Sequence, residues 1–314
     1  MRSLQFHQYA KHRTIQVFLY ILPVFFLIAS LQASSQQKIV VFQSDFGLQD
    51  GAVSAMKGVA MGVSTDLRLF DLTHEIPPYD IWEAAYRLEQ TVAYWPAGTV
   101  FVSVVDPGVG TDRKPVVLKT RSGHYIVTPD NGTLTLIAGS LGIDSIRLID
   151  EAVNRRSGSA GSYTFHGRDV FAYTAARLAS GAIRFGDVGP LQEARVVMIP
   201  YQSPVHEGNR VRGNIPILDT RYGNVWTNIP SQLLEAAGIR YGDLLQVRIS
   251  KGGKDIYQGT APYVRTFGEV GKGKVLCYLN SLMQLSVALN QDDFAKRFGI
   301  GSGGEWRLEI TKKP

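Results

Sequence analysis

Cysteine is almost missing from this chain: Cys277 is the single one among 314 residues. One thiol can form neither an intrachain disulfide nor a cysteine-rich zinc site, which excludes a stapled scaffold and a zinc-ribbon architecture. Its apolar setting, Val275-Leu276-Cys277-Tyr278-Leu279, predicts a buried, inert thiol. Charge is also sparse, at 19% of residues. Arg2, Lys11 and Arg13 lie in the first 36 residues, which hold no Asp or Glu, so only +3 of the formal +6 belongs to the rest. A basic surface for nucleic acid is therefore not indicated. Several signatures are absent as well: His-x-x-x-His, paired cysteines, a calcium loop, a Gly-x-x-x-x-Gly-Lys-Ser/Thr loop and a Gly-x-Ser-x-Gly elbow. Metal-centred, simple NTPase, kinase and serine-hydrolase chemistries lose their support with them, and no metal site is expected.

Long apolar runs are limited to one. Val17 to Leu31 is almost wholly apolar, with positive charges before it and Gln32-Ala33-Ser34-Ser35 after it. This is the order of a secretory signal, and export with cleavage is expected, to the periplasm or outside the cell. Fifteen residues interrupted by Pro23 fall short of the roughly 20 a membrane span needs, although an uncleaved anchor is the alternative.

What the chain does contain, from Lys38 onward, is an alternation of strand and helix. Ile39-Val40-Val41-Phe42 suits a buried parallel strand and runs into the loop Ser44-Asp45-Phe46-Gly47. A helix is predicted from about Ala52 to Gly62 and a strand over Leu67 to Leu72. Asp80 is placed to cap an amphipathic helix whose apolar face carries Ile81, Ala84, Ala85, Leu88, Val92 and Trp95. Thr99 to Val105 reads as another strand, followed by candidates at Val116-Val117-Leu118 and Tyr125-Ile126-Val127. The pattern predicts a three-layer α/β domain with a mostly parallel sheet. After about Pro200 short apolar runs alternate with Gly-rich turns, as in an antiparallel barrel or sandwich. The expected division is residues 1–36 as signal or anchor, 37–203 as the α/β domain and 204–314 as the smaller β domain.

Three polar segments invite a chemical explanation. Asp45 directly follows a strand, where ligands gather at the carboxyl edge of an α/β sheet and a carboxylate can accept both hydroxyls of a ribose. An Asp in that place also serves as a helix cap or turn former. Asp106-Pro107-Gly108-Val109-Gly110-Thr111-Asp112-Arg113 is a tight loop across which Asp106 and Arg113 are placed to pair, whether as a site element or as a surface ion pair. Thr164-Phe165-His166-Gly167-Arg168-Asp169 precedes a helix, and Gly167 leaves room for a ligand beside His166. Of the other histidines, His7 and His12 fall in the signal segment, His124 and His206 in segments that read as solvated, and His74 reads as structural.

Read together, the segments SDFG (Ser44 to Gly47), LTHEIPPYDI (Leu72 to Ile81), DPGVGT-x-R (Asp106 to Arg113), PDNG (Pro129 to Gly132), FHGRD (Phe165 to Asp169) and YGNVWTNIP (Tyr222 to Pro230) resemble the S-adenosylmethionine hydroxide adenosyltransferase family, relatives of the fluorinating and chlorinating adenosyl enzymes. The likeness runs from about Ile39 to the C-terminus. It implies an N-terminal α/β domain joined to a C-terminal β domain, and hydrolysis of S-adenosyl-L-methionine at C5′ to adenosine and L-methionine without a cofactor. It also implies that Asp106, Arg113 and His166 are the catalytic set that polarises water, where fluorinating members carry Tyr in place of Asp106. Asp45 matches the ribose-binding residue, Asp219 and Asn224 the residues holding the methionine ends, and Ser281 a further methionine contact, while Phe267 is placed to pack on adenine. The resemblance further implies a homotrimer whose sites lie between subunits. Leu282 departs from the Arg of the halogenases, and Tyr173 stands where Pro is common. The export signal departs too, because S-adenosylmethionine is a cytoplasmic metabolite; a nearby source or a related adenosyl compound would reconcile the two.

The chemistry is coherent on its own terms. A sulfonium makes C5′ electrophilic and methionine leaves as a neutral thioether, so the need is a desolvated, in-line water rather than a leaving-group acid. Asp106 and His166 both qualify as its base. An adenosyl halogenase is the alternative among enzymes, but the Asp106 carboxylate would repel a halide. An exported, non-catalytic module binding S-adenosylmethionine or adenosine is the alternative from another class.

Overall fold

In a computed structural model, residues 38–313 are described. The signal-like segment lies outside them, and among the described residues no helix is long and apolar enough to cross a membrane. The first part of the chain builds a seven-stranded sheet ordered β2-β1-β3-β5-β4-β6-β7 from β1 (Ile39–Ser44), β2 (Arg68–Thr73), β3 (Val100–Val104), β4 (Pro115–Thr120), β5 (Tyr125–Pro129), β6 (Ile143–Leu148) and β7 (Leu191–Gln192). β1 is parallel to β2 and β3, and β3 to β5, whereas β4 opposes β5 and β6, and β7 opposes β6. The sheet is mixed with mostly parallel strands. The alternation of strand and helix does not extend to β4 and β5, because the few residues between Thr120 and Tyr125 can join only antiparallel neighbours.

Alternate residues of the central strands feed two cores. Val40 and Phe42 of β1, with Val100, Val102 and Val104 of β3, pack on the helices Ala52–Val63 and Tyr173–Ser180. Ile39, Val41 and Phe101 face the other way, onto Leu88 and Val92 of the helix Ile81–Val92 and Ile137 of Thr135–Ser140. Helices on both faces make the expected three layers. β1 and β3 are buried along their whole length, which explains why they read as unbroken apolar runs. β2 sits at the sheet edge and is half-exposed.

The Ile81–Val92 helix starts where the sequence says it should. The Asp80 side chain accepts a 2.8 Å hydrogen bond from the Glu83 amide, and Ala84, Ala85, Leu88 and Val92 are buried. Asp80→Ala is expected to lower stability by about 1 kcal/mol, the usual cost of losing a side-chain N-cap. A drop of a few degrees in thermal midpoint, measured by circular dichroism, checks it.

From β8 (Val205–Glu207) onward the chain forms two antiparallel sheets. One is ordered β10-β11-β15-β14, with β10 (Ile217–Asp219), β11 (Asn224–Pro230), β14 (Val275–Leu279) and β15 (Gln284–Leu289). The other is ordered β13-β12-β16-β9-β8, with β9 (Arg210–Ile215), β12 (Leu244–Lys251), β13 (Lys254–Pro262) and β16 (Gly303–Lys312). They share one core that includes Val225, Val247, Cys277, Val287 and Leu308. Cys277 is fully buried, and burial pushes its thiol up to about 12, so it is inert at neutral pH as expected.

Candidate active site

The register of the sheet places the first two site loops side by side. Ser44, the last residue of β1, lies opposite Val104, the last of β3, so Asp45 and Asp106 leave neighbouring strands on one edge. Asp45 accepts a 2.9 Å hydrogen bond from the backbone amide of Tyr79. Tyr79 is exposed and has φ 69°, an uncommon conformation for a non-glycine residue.

Asp106 and Arg113 close their loop with a tight ion pair. Arg113 Nε lies 3.0 Å from both carboxylate oxygens and Nη2 is 2.6 Å from Oδ2. Their side chains are only 5% and 9% exposed, which removes the surface-pair reading. Gly110, at φ 78°, lets the loop approach the next segment: a Cβ there would lie 3.1 Å from the Tyr163 carbonyl oxygen.

The third segment supplies His166, which is buried at 4% exposure. Residues Gly167–Ala172 form a π-helical turn before the Tyr173–Ser180 helix, a local widening of the kind that recurs at functional sites. Gly167 serves packing rather than ligand access, contrary to expectation. Its missing side chain admits Val104 and Phe46, which would lie 3.2 and 3.3 Å from a Cβ. Asp169 is fully buried; burial alone would raise its carboxyl, but hydrogen bonds from Arg168 and Arg156 outweigh that and hold it below its ordinary range.

Arg113 Nη2 reaches His166 Nδ1 at 2.7 Å, which brings together Asp106, Arg113 and His166. A fourth residue, with no signal in the motifs, completes the surroundings. Arg155 Nη2 lies 2.9 Å from His166 Nε2 and is ion-paired to Glu151. The visible trace of this pair was its spacing: an acid and an arginine four apart lie together on one helical turn, here the helix Glu151–Asn154. Burial, first, and then the neighbouring Arg113 and Arg155 hold the His166 imidazole below its ordinary value, while Glu151 and Asp106 oppose them. A group of this kind binds its proton more readily in the unfolded chain. Stability therefore rises with pH through the usual histidine range and is lost as pH falls below it.

Two histidine expectations fare differently. His124 is buried at 4%, not solvated; it contacts the Trp95 carbonyl oxygen at 2.8 Å and Ser122 at 2.9 Å. The apolar-aromatic side of its ring, edge-on to Phe101, explains why a strand-flanking histidine can go inside. His74 is structural as read, held between Ser44 and Asp71.

The β domain carries the other predicted residues. Asp219 and Asn224 flank the Arg221-Tyr222-Gly223 turn, with Asn224 Nδ2 donating to Asp219 Oδ2 at 3.2 Å. Together with Phe267, Tyr222, Tyr278 and Asn290 they line a cavity of about 760 Å³. Ser281 lines a second cavity of about 710 Å³ that also includes Asp219. Neither of these two cavities is lined by Asp45, Asp106, Arg113 or His166. Among the described residues no group of three or more His, Cys, Asp or Glu side chains could hold a metal ion.

Such an arrangement defines an α/β-plus-β protein with candidate ligand groups on a sheet's carboxyl edge and in a β-domain cavity. Its two parts match the two families described as the SAM hydroxide adenosyltransferase N-terminal domain, over residues 40–189, and C-terminal domain, over residues 213–307. The chain belongs to the SAM hydroxide adenosyltransferase family. It is 36% identical over 274 residues to the (R)-S-adenosyl-L-methionine hydrolase of Salinispora tropica, covering 87% of this chain and 97% of that one. It is 28% identical over 302 residues to the fluorinase of Actinopolyspora mzabensis, covering 88% and 98%. A crystal structure of a conserved protein from Thermotoga maritima superposes with a TM-score of 0.79 at 34% identity, covering 87% of this chain and 99% of that one.

Proposed function

We propose that this protein is an S-adenosyl-L-methionine hydrolase that releases adenosine and L-methionine by attack of water at C5′. The observation that carries the reading is the buried Asp106–Arg113–His166 set on the sheet edge beside Asp45. Asp45 binds the ribose hydroxyls, Asp219 and Asn224 the amino-acid end, Ser281 a further part of methionine, and Phe267 packs on adenine. The new O–C5′ bond forms as the C5′–S bond breaks, and its electron pair neutralises the sulfonium. The water's proton goes to Asp106. His166 is unsuited to take it, because both its ring nitrogens face guanidinium groups. Asp106 Oδ1 shares only a branch of the Arg113 Nε hydrogen bond and keeps a lone pair for water. No metal or cofactor is called for, since a neutral thioether needs no acid to leave.

That neither β-domain cavity is lined by Asp45, Asp106, Arg113 or His166 favours a composite site completed by another subunit, and a homotrimer is the assembly proposed. The N-terminal segment, outside the described residues, is proposed to direct export.

Incubating the purified protein with S-adenosylmethionine in metal-free buffer, and following adenosine by chromatography, tests the reading. Adenosine and methionine should form in equal amounts, with chloride without effect. Halogenated adenosine on adding a halide would favour the halogenase alternative instead, and bound but intact substrate a binding module.

A further inference from the structure

The contact of Arg155 with His166 has no place in the Asp–Arg–His set. Five side chains follow one another here: Glu151, Arg155, His166, Arg113 and Asp106. Two carboxylates stand at the ends, two guanidinium groups inside them, and a buried imidazole at the centre. Arg155 is itself only 10% exposed and is further fixed by the Ser162 carbonyl oxygen at 3.4 Å and the Tyr163 ring at 5.7 Å.

Guanidinium groups only donate hydrogen bonds, while a neutral imidazole has one acceptor nitrogen and one N–H. With the lone pair on Nδ1, 2.7 Å from Arg113, the Nε2–H faces the Arg155 guanidinium 2.9 Å away donor to donor, so Arg155 acts on the ring through its charge and not through a hydrogen bond. Protonating His166 would put an N–H in place of that lone pair, break the hydrogen bond from Arg113 and set a third cation between two others. We propose that Arg155, anchored by Glu151, is a positioning residue that keeps His166 an uncharged acceptor for Arg113. Arg113 is thereby held on Asp106 in the orientation that water activation requires. This role rests on the hydrolase reading for its purpose, but the state of His166 can be measured without any substrate.

The charged and titratable groups facing His166 come from three directions. Asp106 and Arg113 belong to the loop between β3 and β4, and Glu151 and Arg155 to the short helix and its end. Tyr163, its ring centroid 6.5 Å away, precedes it in the chain. Asp169, three residues on, is turned to Arg156 and Arg168. Removing Arg155 strips one opposing cation and leaves Glu151 unpaired beside the ring, so both changes favour the imidazolium. Removing the Glu151 charge does the opposite.

The experiment is an NMR titration of 15N-histidine-labelled protein, with the His166 signals assigned through H166N. In R155M the His166 titration should move to higher pH, in E151Q to lower pH, and in R155K, which keeps the cation, it should stay near the parent's. The acid limb of kcat/KM should move in the same directions, with the high-pH plateau kept within about threefold. A purely structural role would alter thermal stability without moving either midpoint in opposite senses. Coincident titrations in R155M and the parent, or an R155K shift as large as that of R155M, would overturn the proposal. Because the titration needs no substrate, a protein that fails to hydrolyse S-adenosylmethionine would refute the hydrolase reading alone.

Discussion

Asp106→Ala should abolish adenosine formation while S-adenosylmethionine still binds. The expected loss in turnover is about a thousandfold or more, the scale found when a group acting only on the reacting atoms is removed. The binding groups assigned to ribose, adenine and methionine lie on other loops, so affinity should change little. The alanine variant also leaves Arg113 without its carboxylate, and an orphaned buried donor costs roughly 1–3 kcal/mol. Asp106→Asn separates the two effects: it keeps the shape and an acceptor oxygen but lacks the charge that takes the proton. Both variants should fail in single-turnover chromatography, with ligand binding retained by calorimetry and the asparagine form melting close to the parent. Turnover by Asp106→Asn within tenfold of the parent would move the base elsewhere.

The largest effect on folding is expected at Gly189, which is not among the proposed substrate contacts. This residue has φ 150° and ψ −164°, a region essentially confined to glycine. A Cβ would lie 2.2 Å from the Leu148 carbonyl oxygen and 2.8 Å from the Asp150 amide nitrogen. Both are backbone atoms, and hydrogen bonds from Leu148 to Pro190 and from Asp150 to Val188 hold them in place on either side. No side-chain rotation relieves the clash, so Gly189→Ala should cost about 3 kcal/mol or more. Urea unfolding measures it, and Gly186→Ala is the control, because no atom lies within 4 Å of its Cβ position. The Gly189 variant should also lose activity in proportion to unfolding, since Asp150 leads directly into the Glu151–Asn154 helix that carries the Glu151–Arg155 pair.

How far the sequence reveals this protein depends on the range of the forces involved. The Asp80 cap, the amphipathic Ile81–Val92 helix and the buried β1 and β3 are local consequences of hydrogen-bonding geometry and apolar period, and all were legible. The Asp106–Arg113 pair was legible as a possibility, because the six Pro- and Gly-shaped residues between them favour a loop that folds back on itself. The burial of His124 was not, since a polar-looking flank gives no hint that the Trp95 carbonyl and the Phe101 ring will close over it. Nor was the filling of the space at Gly167 by Phe46, which arrives from the loop after β1, more than a hundred residues earlier.

The motifs by themselves determined the family, the order of an α/β half before a β half, and the residue types offered for chemistry. Short segments in fixed order carry that much, because each is shaped by its own turn or strand end. Tertiary structure alone decided that Ser44 stands opposite Val104, which brings Asp45 and Asp106 to one edge. It alone set His166 between Arg113 and Arg155, which are separated in the chain by the three strands β4, β5 and β6. Sheet register and the packing of distant loops are cooperative outcomes of the whole core, and no window of sequence contains them.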